Sequence, residues 1–293
     1  MEQTIELRKQ RDFGQIINDS FTFLKQNFKP LFRTLFIICG FLILIGIISS
    51  IFYYYNIGSS FNININSPEA RSKPLMVIIT AFLTAFTVLL AQAFIQLTTI
   101  CYISVYLQKT GKTPSLAEVW GYFKYFLLRA LGSSIVTITL FFIGCIFCLI
   151  PGIYLLPIFS LIIPIIVIEN TSFGYAFSAS FRLIKNNWWL VFGVIFVMGF
   201  MVWIAHVIVD IPLTFITLGD KFLPVLNGIK LPIVIVSSII KNVLSFAYVI
   251  PTIAIALCYF SLSEEKDSTG LMDRIDKLGK AEDNQPQFPA EEF

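Results

Sequence analysis

The chain alternates long apolar stretches with short polar segments, and the lengths of these stretches predict helices that cross a membrane. A helix needs about 20 mostly apolar residues to cross the hydrocarbon core of a bilayer. Only Pro151 and Gly152 separate the third stretch from the fourth, which predicts a tight hairpin. The longer stretches should tilt, bend or project from the bilayer. The six stretches are 35–54, 75–107, 130–150, 153–168, 190–215 and 233–261.

A repeated segment precedes two of these stretches. Positions 12–32 read DFGQIINDSFTFLKQNFKPLF and positions 172–192 read SFGYAFSASFRLIKNNWWLVF, with seven identities at a constant offset of 160. In both copies apolar residues recur every three or four positions, as on one face of an amphipathic helix. Such a helix can lie in the membrane interface. Residues 116–127 show a weaker version before the third stretch.

These patterns predict an all-α fold: a polytopic membrane helix bundle of about six spans. Its pseudo-repeats each combine an interfacial amphipathic helix with a transmembrane hairpin. The integral membrane domain covers residues 1–262, with repeat-like parts at 12–107, 115–170 and 172–262. Residues 263–293 are predicted to form a cytoplasmic tail, disordered from about residue 281. Within the tail, Leu271, Ile275 and Leu278 share one face of a short predicted helix, which Gly279 would end.

Composition and charge agree with a membrane location. Hydrophobic residues make up 56% of the chain and charged residues 13%, whereas soluble domains carry about 25% charged residues. The net charge of +3 is too small and too dispersed to indicate nucleic-acid binding. Of the 21 lysines and arginines, 16 lie on the side that holds both termini, which predicts that both termini are cytoplasmic. The Asn-rich segment 55–74 would then be an external loop.

Basic residues of the repeated helices form the first candidate site. Lys25 and Lys185 occupy the same repeat position, two residues before Asn27 and Asn187, and Arg182 lies one turn earlier in the second copy. Long basic side chains can reach the head-group layer, where an anionic surface attracts each one by about 1 kcal/mol. We interpret these five residues as candidate contacts to membrane lipid, anionic lipid included, or to a membrane protein partner. Simple anchoring at the cytoplasmic interface is the alternative interpretation.

The second candidate is an intramembrane polar cluster in the fifth and sixth stretches. His206 and Asp210 are four residues apart and share a helix face, and Lys241 lies in the outer part of the sixth stretch. Ionisable residues inside a membrane are costly and are usually paired or face water. The cluster would therefore either support an ion or proton step or form a structural bridge between Asp210 and Lys241.

Motifs for catalysis or metal binding are scarce. All five cysteines lie in apolar stretches, and the pair Cys145 and Cys148 has no nearby ligand partners, so we expect small buried side chains. The sequence shows no glycine-rich phosphate loop, no nucleophile motif and no metal-ligand spacing. We therefore expect no cofactor, no metal and no enzymatic activity. Prolines inside the later stretches would bend the helices, and either shape the bundle or line a transport cavity.

One segment resembles a known family. The run IPIIVIEN at 163–170, followed by FGYAFSASFRLIKNNWW at 173–189, is similar to a recurrent motif of bacterial multi-pass proteins. The motif occurs in the membrane domain of some glycerophosphoryl diester phosphodiesterases and in related integral membrane families. The resemblance covers about residues 110–262 and implies a bacterial inner-membrane protein. The enzymes of that family hydrolyse their substrate with a separate soluble domain that has no counterpart in this sequence, so we expect no hydrolase activity. The matching residues are Pro164, Glu169, Ala176, Ser180, Leu183 and Lys185.

The sequence leaves three hypotheses about function. The first is a non-catalytic membrane protein that binds lipid or a membrane partner through basic interfacial helices. The second is a small transporter or permease that uses the proline-kinked spans and the polar residues of spans five and six. The third is an intramembrane enzyme. A dry interior with a basic cytoplasmic rim would favour the first, and acidic residues in a water-filled cavity would favour the second.

Overall fold

The computed structural model describes residues 5–60, 69–147, 149–219 and 227–267. These residues contain helices and no strand, so the all-α prediction is confirmed. A short 3-10 turn, Ser245–Tyr248, lies between the last two helices. The helices are α1 (Phe13–Ser60), α2 (Glu69–Gln108), α3 (Leu116–Phe147), α4 (Leu149–Ser160), α5 (Ile162–Ile168), α6 (Phe173–Ile184), α7 (Trp188–Gly219), α8 (Asn227–Leu244) and α9 (Val249–Asp267).

Six segments of these helices are long and apolar enough to cross a membrane, as the sequence predicts. Many large apolar side chains on their outer faces are exposed, among them Phe36, Phe82, Leu128 and Phe196. An apolar surface of this extent needs lipid or protein to cover it, so the chain is an integral membrane protein. The six segments are Phe13–Ile57, Pro74–Gln108, Leu116–Ile146, Pro151–Ile168, Trp188–Phe215 and Leu231–Lys266.

Helix α9 lies at the centre of the bundle. Its contacts include α1, α2, α6 and α7, and Ile253, Ala254, Ala256, Leu257 and Cys258 are all fully buried. A helix that is apolar on every side is expected to be surrounded by other helices, and small residues allow those helices to approach closely. Helix α1 packs along α2 and also contacts α7 and α8.

The predicted turn at Pro151 and Gly152 is wrong, because both residues lie inside α4. Helix α3 ends at Phe147 and α4 begins at Leu149. Pro151 is the third residue of α4, where a missing N–H costs nothing because the first-turn N–H groups have no helical partner. Gly152 instead allows the two helices to pack closely, since a Cβ there would lie 2.5 Å from Cys145 Sγ.

Prolines also mark the breaks in the fourth and sixth spans. The fourth span is interrupted at Leu161, and Pro164 is the third residue of α5. The 3-10 turn interrupts the sixth span, and Pro251 is the third residue of α9. In both spans the helix restarts two residues before the proline, which places the proline in a first turn that tolerates it. Pro212, by contrast, lies inside the continuous helix α7.

The two copies of the repeated segment share a buried serine contact, but they differ in helix continuity. Ser20 and Ser180 are both fully buried, and each hydroxyl donates to the carbonyl four residues earlier, at Ile16 (2.6 Å) and Ala176 (2.7 Å). Helix α1, however, runs without a break from the first copy through the first span. In the second copy α6 ends at Ile184, and α7 begins at Trp188. A separate entry helix, expected for every repeat, is therefore found only in the second copy.

Helices extend into two segments that the sequence predicts to be non-helical, the external loop and the start of the tail. Helix α1 continues to Ser60 and α2 begins at Glu69, so much of the predicted external loop 55–74 is helical. Helix α9 extends to Asp267, five residues into the predicted tail. The short helix predicted around Leu271 and the disorder predicted from residue 281 lie outside the described residues.

Candidate functional site

The repeated lysines lie at the surface in both copies. Lys25 is exposed on α1, Lys185 is exposed directly after α6, and Arg182 in the last turn of α6 is exposed as well. Of the five residues predicted to contact lipid or a partner, these three have side chains that are accessible for that purpose.

The prediction that Asn27 contacts lipid or a partner is wrong, because this residue is buried, with 2% of its surface exposed. Its amide nitrogen donates to the Phe23 carbonyl at 3.1 Å, and its amide oxygen accepts from the Tyr102 hydroxyl at 3.1 Å. The side chain therefore joins α1 to α2 inside the bundle. The sequence does not indicate that Asn27, a polar residue between Lys25 and Phe28, faces the interior of the bundle.

Asn187 is half-buried, and its hydrogen-bond partner differs from those of Asn27. Its amide nitrogen donates to Glu265 Oε2 at 2.7 Å, which connects the turn between α6 and α7 to the end of α9. Close by, the Lys266 ammonium donates to the Arg182 carbonyl. The second copy is thus attached to the C-terminal end of α9.

The first copy is attached to the same end of α9. The backbone N–H of Arg11 donates to Ser261 Oγ at 2.9 Å, and Arg11 lies two residues before the start of α1. Since Ser261 and Glu265 are one turn apart on α9, the starts of α1 and α7 lie at one end of the bundle. The exposed cations of both copies therefore share that end.

A polar cavity of about 180 Å³ opens at this end of the bundle. Its lining comes from four parts of the chain: the N-terminal segment, the end of α5, α6 and α9. We call it the Arg8–Arg182 pocket after its two cations. It is lined by Arg8, Ile168, Glu169, Tyr175, Arg182, Tyr259, Phe260 and Ser263.

The N-terminal segment that carries Arg8 is folded around the side chain of Arg11, which is 5% exposed. The Arg11 guanidinium donates to the carbonyls of Glu6, Leu7 (2.8 Å) and Lys9 (3.0 Å). Its Nε donates to Asp19 Oδ2 at 2.8 Å. Five donors in a fixed plane make arginine suited to this role, and the result is a fixed position for the segment that bears Arg8.

Glu169 is held by α9. The Tyr259 hydroxyl donates to Glu169 Oε1 at 2.7 Å, and the tyrosine is 4% exposed. Glu169 is the C-cap residue of α5, and the next residue, Asn170, has a left-handed backbone with φ of 51°. Asparagine tolerates that conformation better than most residues, so the chain reverses there and enters α6.

Sequence reasoning missed the Arg8–Arg182 pocket. In the sequence, Arg8 and Arg11 contribute only to the count of positive charges on the predicted cytoplasmic side. Glu169 is recognised only as part of the family motif. Residues 8, 169, 182 and 259 are far apart in the chain, so no spacing rule brings them together. The one usable signal is a motif glutamate, Glu169, followed by an amphipathic helix that carries Arg182 thirteen residues later in the chain.

At the opposite end of the sixth span, the structure brings Asp210 and Lys241 together. The Lys241 ammonium lies 2.8 Å and 3.1 Å from the two carboxylate oxygens of Asp210. It also donates to the Tyr54 hydroxyl at 3.2 Å. The cluster therefore joins α1, α7 and α8, and about a third of the surface of the two charged side chains is exposed.

His206 makes other contacts. One ring nitrogen, Nδ1, lies 3.0 Å from the Val202 carbonyl on the same helix. The ring packs against Tyr248, with the two ring centroids 5.6 Å apart. The three predicted members of the polar cluster therefore divide into an ion pair and a histidine that packs on the 3-10 turn.

A buried polar contact adjoins the ion pair. The Asn242 amide nitrogen donates to Ser50 Oγ at 3.0 Å and to the Ser238 carbonyl at 2.8 Å. Gly46 lies directly opposite on α1, where a Cβ would be only 2.3 Å from Asn242 Oδ1. Glycine is thus needed for the close crossing of α1 and α8.

An apolar groove of about 520 Å³ runs between α1 and the α8–α9 break. On α1 it is lined by Leu24, Phe28 and Phe32, and across from them lie residues of α8, the 3-10 turn and α9, including Val243 and Phe246. Lys25 follows Leu24 directly, so an exposed cation lies beside an apolar surface of the kind that lipid chains cover.

The described part of the chain contains no group of three or more histidine, cysteine or acidic side chains placed to hold a metal ion. Cys39, Cys101 and Cys258 are buried, and Cys39 Sγ lies 3.7 Å from the Thr98 hydroxyl.

Comparison with known proteins finds no relative: no protein-family model matches the chain, and no curated protein or solved structure is significantly similar to it. The resemblance to the membrane domain of glycerophosphoryl diester phosphodiesterases therefore stays an expectation.

Proposed function

We propose that this integral membrane protein is non-catalytic and binds anionic lipid through basic side chains at the end of the bundle where α9 terminates. The observation that carries the proposal is the exposure of Lys25 and Lys185 at matching repeat positions, together with the contacts that hold both copies to one end of α9. We also propose that this end faces the cytoplasm of a bacterial cell, because 16 of 21 lysines and arginines belong to that side.

One feature supports lipid as the binding partner, and two features support a non-catalytic role. Lys25 lies beside the apolar groove, so a lipid could place its acyl chains there and its head group near the lysine. Polar side chains within the described spans largely form hydrogen bonds to other groups of the protein, as Asn27 does with Tyr102. The ion pair of Asp210 and Lys241 is likewise complemented by a tyrosine. These contacts favour a structural role for the interior over a transport path or a catalytic centre.

The test compares the variant Lys25→Gln with Lys185→Gln against Lys25→Arg with Lys185→Arg. Retention of phosphatidylglycerol would be measured by native mass spectrometry after release from mixed-lipid nanodiscs. Each lost charge should weaken retention by about 1 kcal/mol, or roughly fivefold, while the arginine pair should retain lipid as the wild type does. Equal retention by the glutamine pair would contradict the proposal.

A further inference from the structure

The lining of the Arg8–Arg182 pocket carries charges of both signs. Two arginines, Arg8 and Arg182, line the cavity together with Glu169. A ligand that is only anionic would gain from the arginines but would be repelled by Glu169. A ligand that is only cationic would be attracted by Glu169 but repelled by the two arginines. A ligand with one charge of each sign complements the whole lining.

We propose that this pocket binds the zwitterionic head group of a phospholipid, with its phosphate at Arg8 and Arg182 and its primary ammonium at Glu169. Planar guanidinium groups match phosphate oxygens with two parallel hydrogen bonds and are the preferred phosphate partners in proteins. A primary ammonium has three N–H donors and can bond the Glu169 carboxylate. A trimethylammonium group has no N–H donor and cannot make that bond.

The polar walls of the pocket are positioned before any ligand arrives. Tyr259 holds one carboxylate oxygen of Glu169 at 2.7 Å and leaves Oε2 for another donor. Arg11 fixes the segment that bears Arg8. Helix α6 carries Arg182, whose carbonyl accepts from Lys266 on α9. These contacts fix the Glu169 carboxylate and the backbone positions of Arg8 and Arg182, so only the two arginine side chains would lose freedom on binding.

The surroundings favour a lipid over a free phosphate ester. Ile168 and Phe260 add apolar surface to the lining, and Ile168 is the last residue of the fourth span. Tyr175 is 49% exposed at the pocket, and tyrosine is enriched at the depth of lipid head groups. The cavity of about 180 Å³ suits a head group whose acyl chains remain outside.

The experiment measures lipid retention by native mass spectrometry for three lipids with the same acyl chains. These are phosphatidylethanolamine, phosphatidylcholine and phosphatidylglycerol, each offered to the full-length protein in detergent. The wild type should retain phosphatidylethanolamine about tenfold better than phosphatidylcholine, the difference expected for one charge-assisted hydrogen bond. Equal retention of these two lipids would overturn the proposal.

Two variants separate the two halves of the site. Glu169→Gln should reduce retention of phosphatidylethanolamine to the level of phosphatidylcholine, whereas Arg182→Gln should weaken retention of all three lipids. Arg33→Gln is the matched control, since Arg33 is an exposed arginine of α1 that does not line the pocket, and it should keep the wild-type retention of phosphatidylethanolamine and phosphatidylcholine. If Glu169→Gln kept the preference for ethanolamine, the assignment of the ammonium to Glu169 would be wrong.

Further measurements guard against unfolding and against a soluble ligand. Thermal unfolding of each variant checks its fold; if Glu169→Gln is unstable, Tyr259→Phe replaces it, because it keeps the carboxylate but releases its orientation. Tyr259→Phe should lower the ethanolamine preference, and an unchanged preference would refute the proposal. Displacement of the lipid by an equal concentration of free O-phosphoethanolamine would assign the pocket to a soluble ligand instead. The inference does not depend on Lys25 or Lys185, so either test can fail alone.

Discussion

At the scale of single residues, a few polar side chains fix which helices pack together. Asn27 joins α1 to α2 through Tyr102, and Asn242 joins α8 to α1 through Ser50. Between apolar helix surfaces such contacts are directional, whereas dispersion contacts are not. Removing one of these hydrogen bonds should therefore weaken the packing of the particular pair of helices that it joins.

The crossing of α1 and α8 gives the first prediction. Gly46→Ala should destabilise the protein by about 1–3 kcal/mol, the usual cost of overpacking. The added Cβ would lie 2.3 Å from Asn242 Oδ1, and the Asn242 amide cannot move away without losing its bonds to Ser50 and Ser238. The measurement is thermal or denaturant unfolding in a fixed detergent.

Gly40→Ala is the matched control, because nothing lies within 4 Å of a Cβ at Gly40. Alanine favours a helix interior over glycine by about 1 kcal/mol, so this variant should be neutral or stabilising. Adding Asn242→Ala to Gly46→Ala should recover part of the loss. A Gly46→Ala protein as stable as Gly40→Ala would show that the two helices do not cross so closely.

The ion pair gives the second prediction. Asp210→Asn and Lys241→Met should each destabilise the protein, and the double variant should lose less than the sum, with a coupling of about 1 kcal/mol for a partly exposed pair. The physical reason is that each single change leaves the other charge without the partner now 2.8 Å away. Strictly additive losses in unfolding measurements would mean that the two side chains act independently.

At the scale of helices, the sequence predicts where the apolar spans lie but not where the helices are interrupted. The first copy of the repeat reads Lys25, Gln26, Asn27 and stays helical; the second reads Lys185, Asn186, Asn187 and breaks. Glutamine has a higher helix propensity than asparagine, which favours continuity in the first copy, and among the described residues the contacts of Asn187 and Arg182 with α9 exist only in the second copy. The breaks near Pro164 and Pro251 follow from proline chemistry, although their position relative to the proline required the structure.

The N-terminal segment before α1 gives the third prediction. Arg11→Gln should destabilise the protein by about 2–4 kcal/mol, because the carbonyls of Leu7 and Lys9 and the carboxylate of Asp19 would lose a buried, charged donor. Residues 5–12 should then become sensitive to proteases while α1 to α9 stay folded. Limited proteolysis followed by mass spectrometry of the fragments would detect this.

Lys9→Gln serves as the control for the third prediction, since Lys9 is exposed and the change removes the same charge. It should leave both stability and the cleavage pattern as in the wild type. Similar cleavage of the two variants would show that charge near the N-terminus, and not the hydrogen bonds of Arg11, orders the segment.

At the scale of the whole molecule, the bundle has two chemically different ends. One end carries the exposed lysines and the Arg8–Arg182 pocket, and the other carries the cluster of Tyr54, Asp210 and Lys241. Hydrophobic length was enough to predict the six spans. The pocket could not be predicted, because its lining depends on α9 meeting both α6 and the N-terminal segment, and that packing leaves no periodic trace in the sequence.

The orientation of these two ends gives the last prediction. In a background without the native cysteines, Tyr55→Cys, five residues before the end of α1, and Lys112→Cys, just after the end of α2, each place one exposed thiol towards opposite ends of this helix pair. A membrane-impermeant thiol reagent applied to intact bacterial cells should label residue 55 and spare residue 112, because the lysine and arginine excess should hold the end near residue 112 in the cytoplasm. Disrupting the cells before labelling should make both thiols react, which controls for accessibility. Labelling of residue 112 alone in intact cells would reverse the orientation, and it would place the Arg8–Arg182 pocket and the exposed lysines on the outer surface of the membrane.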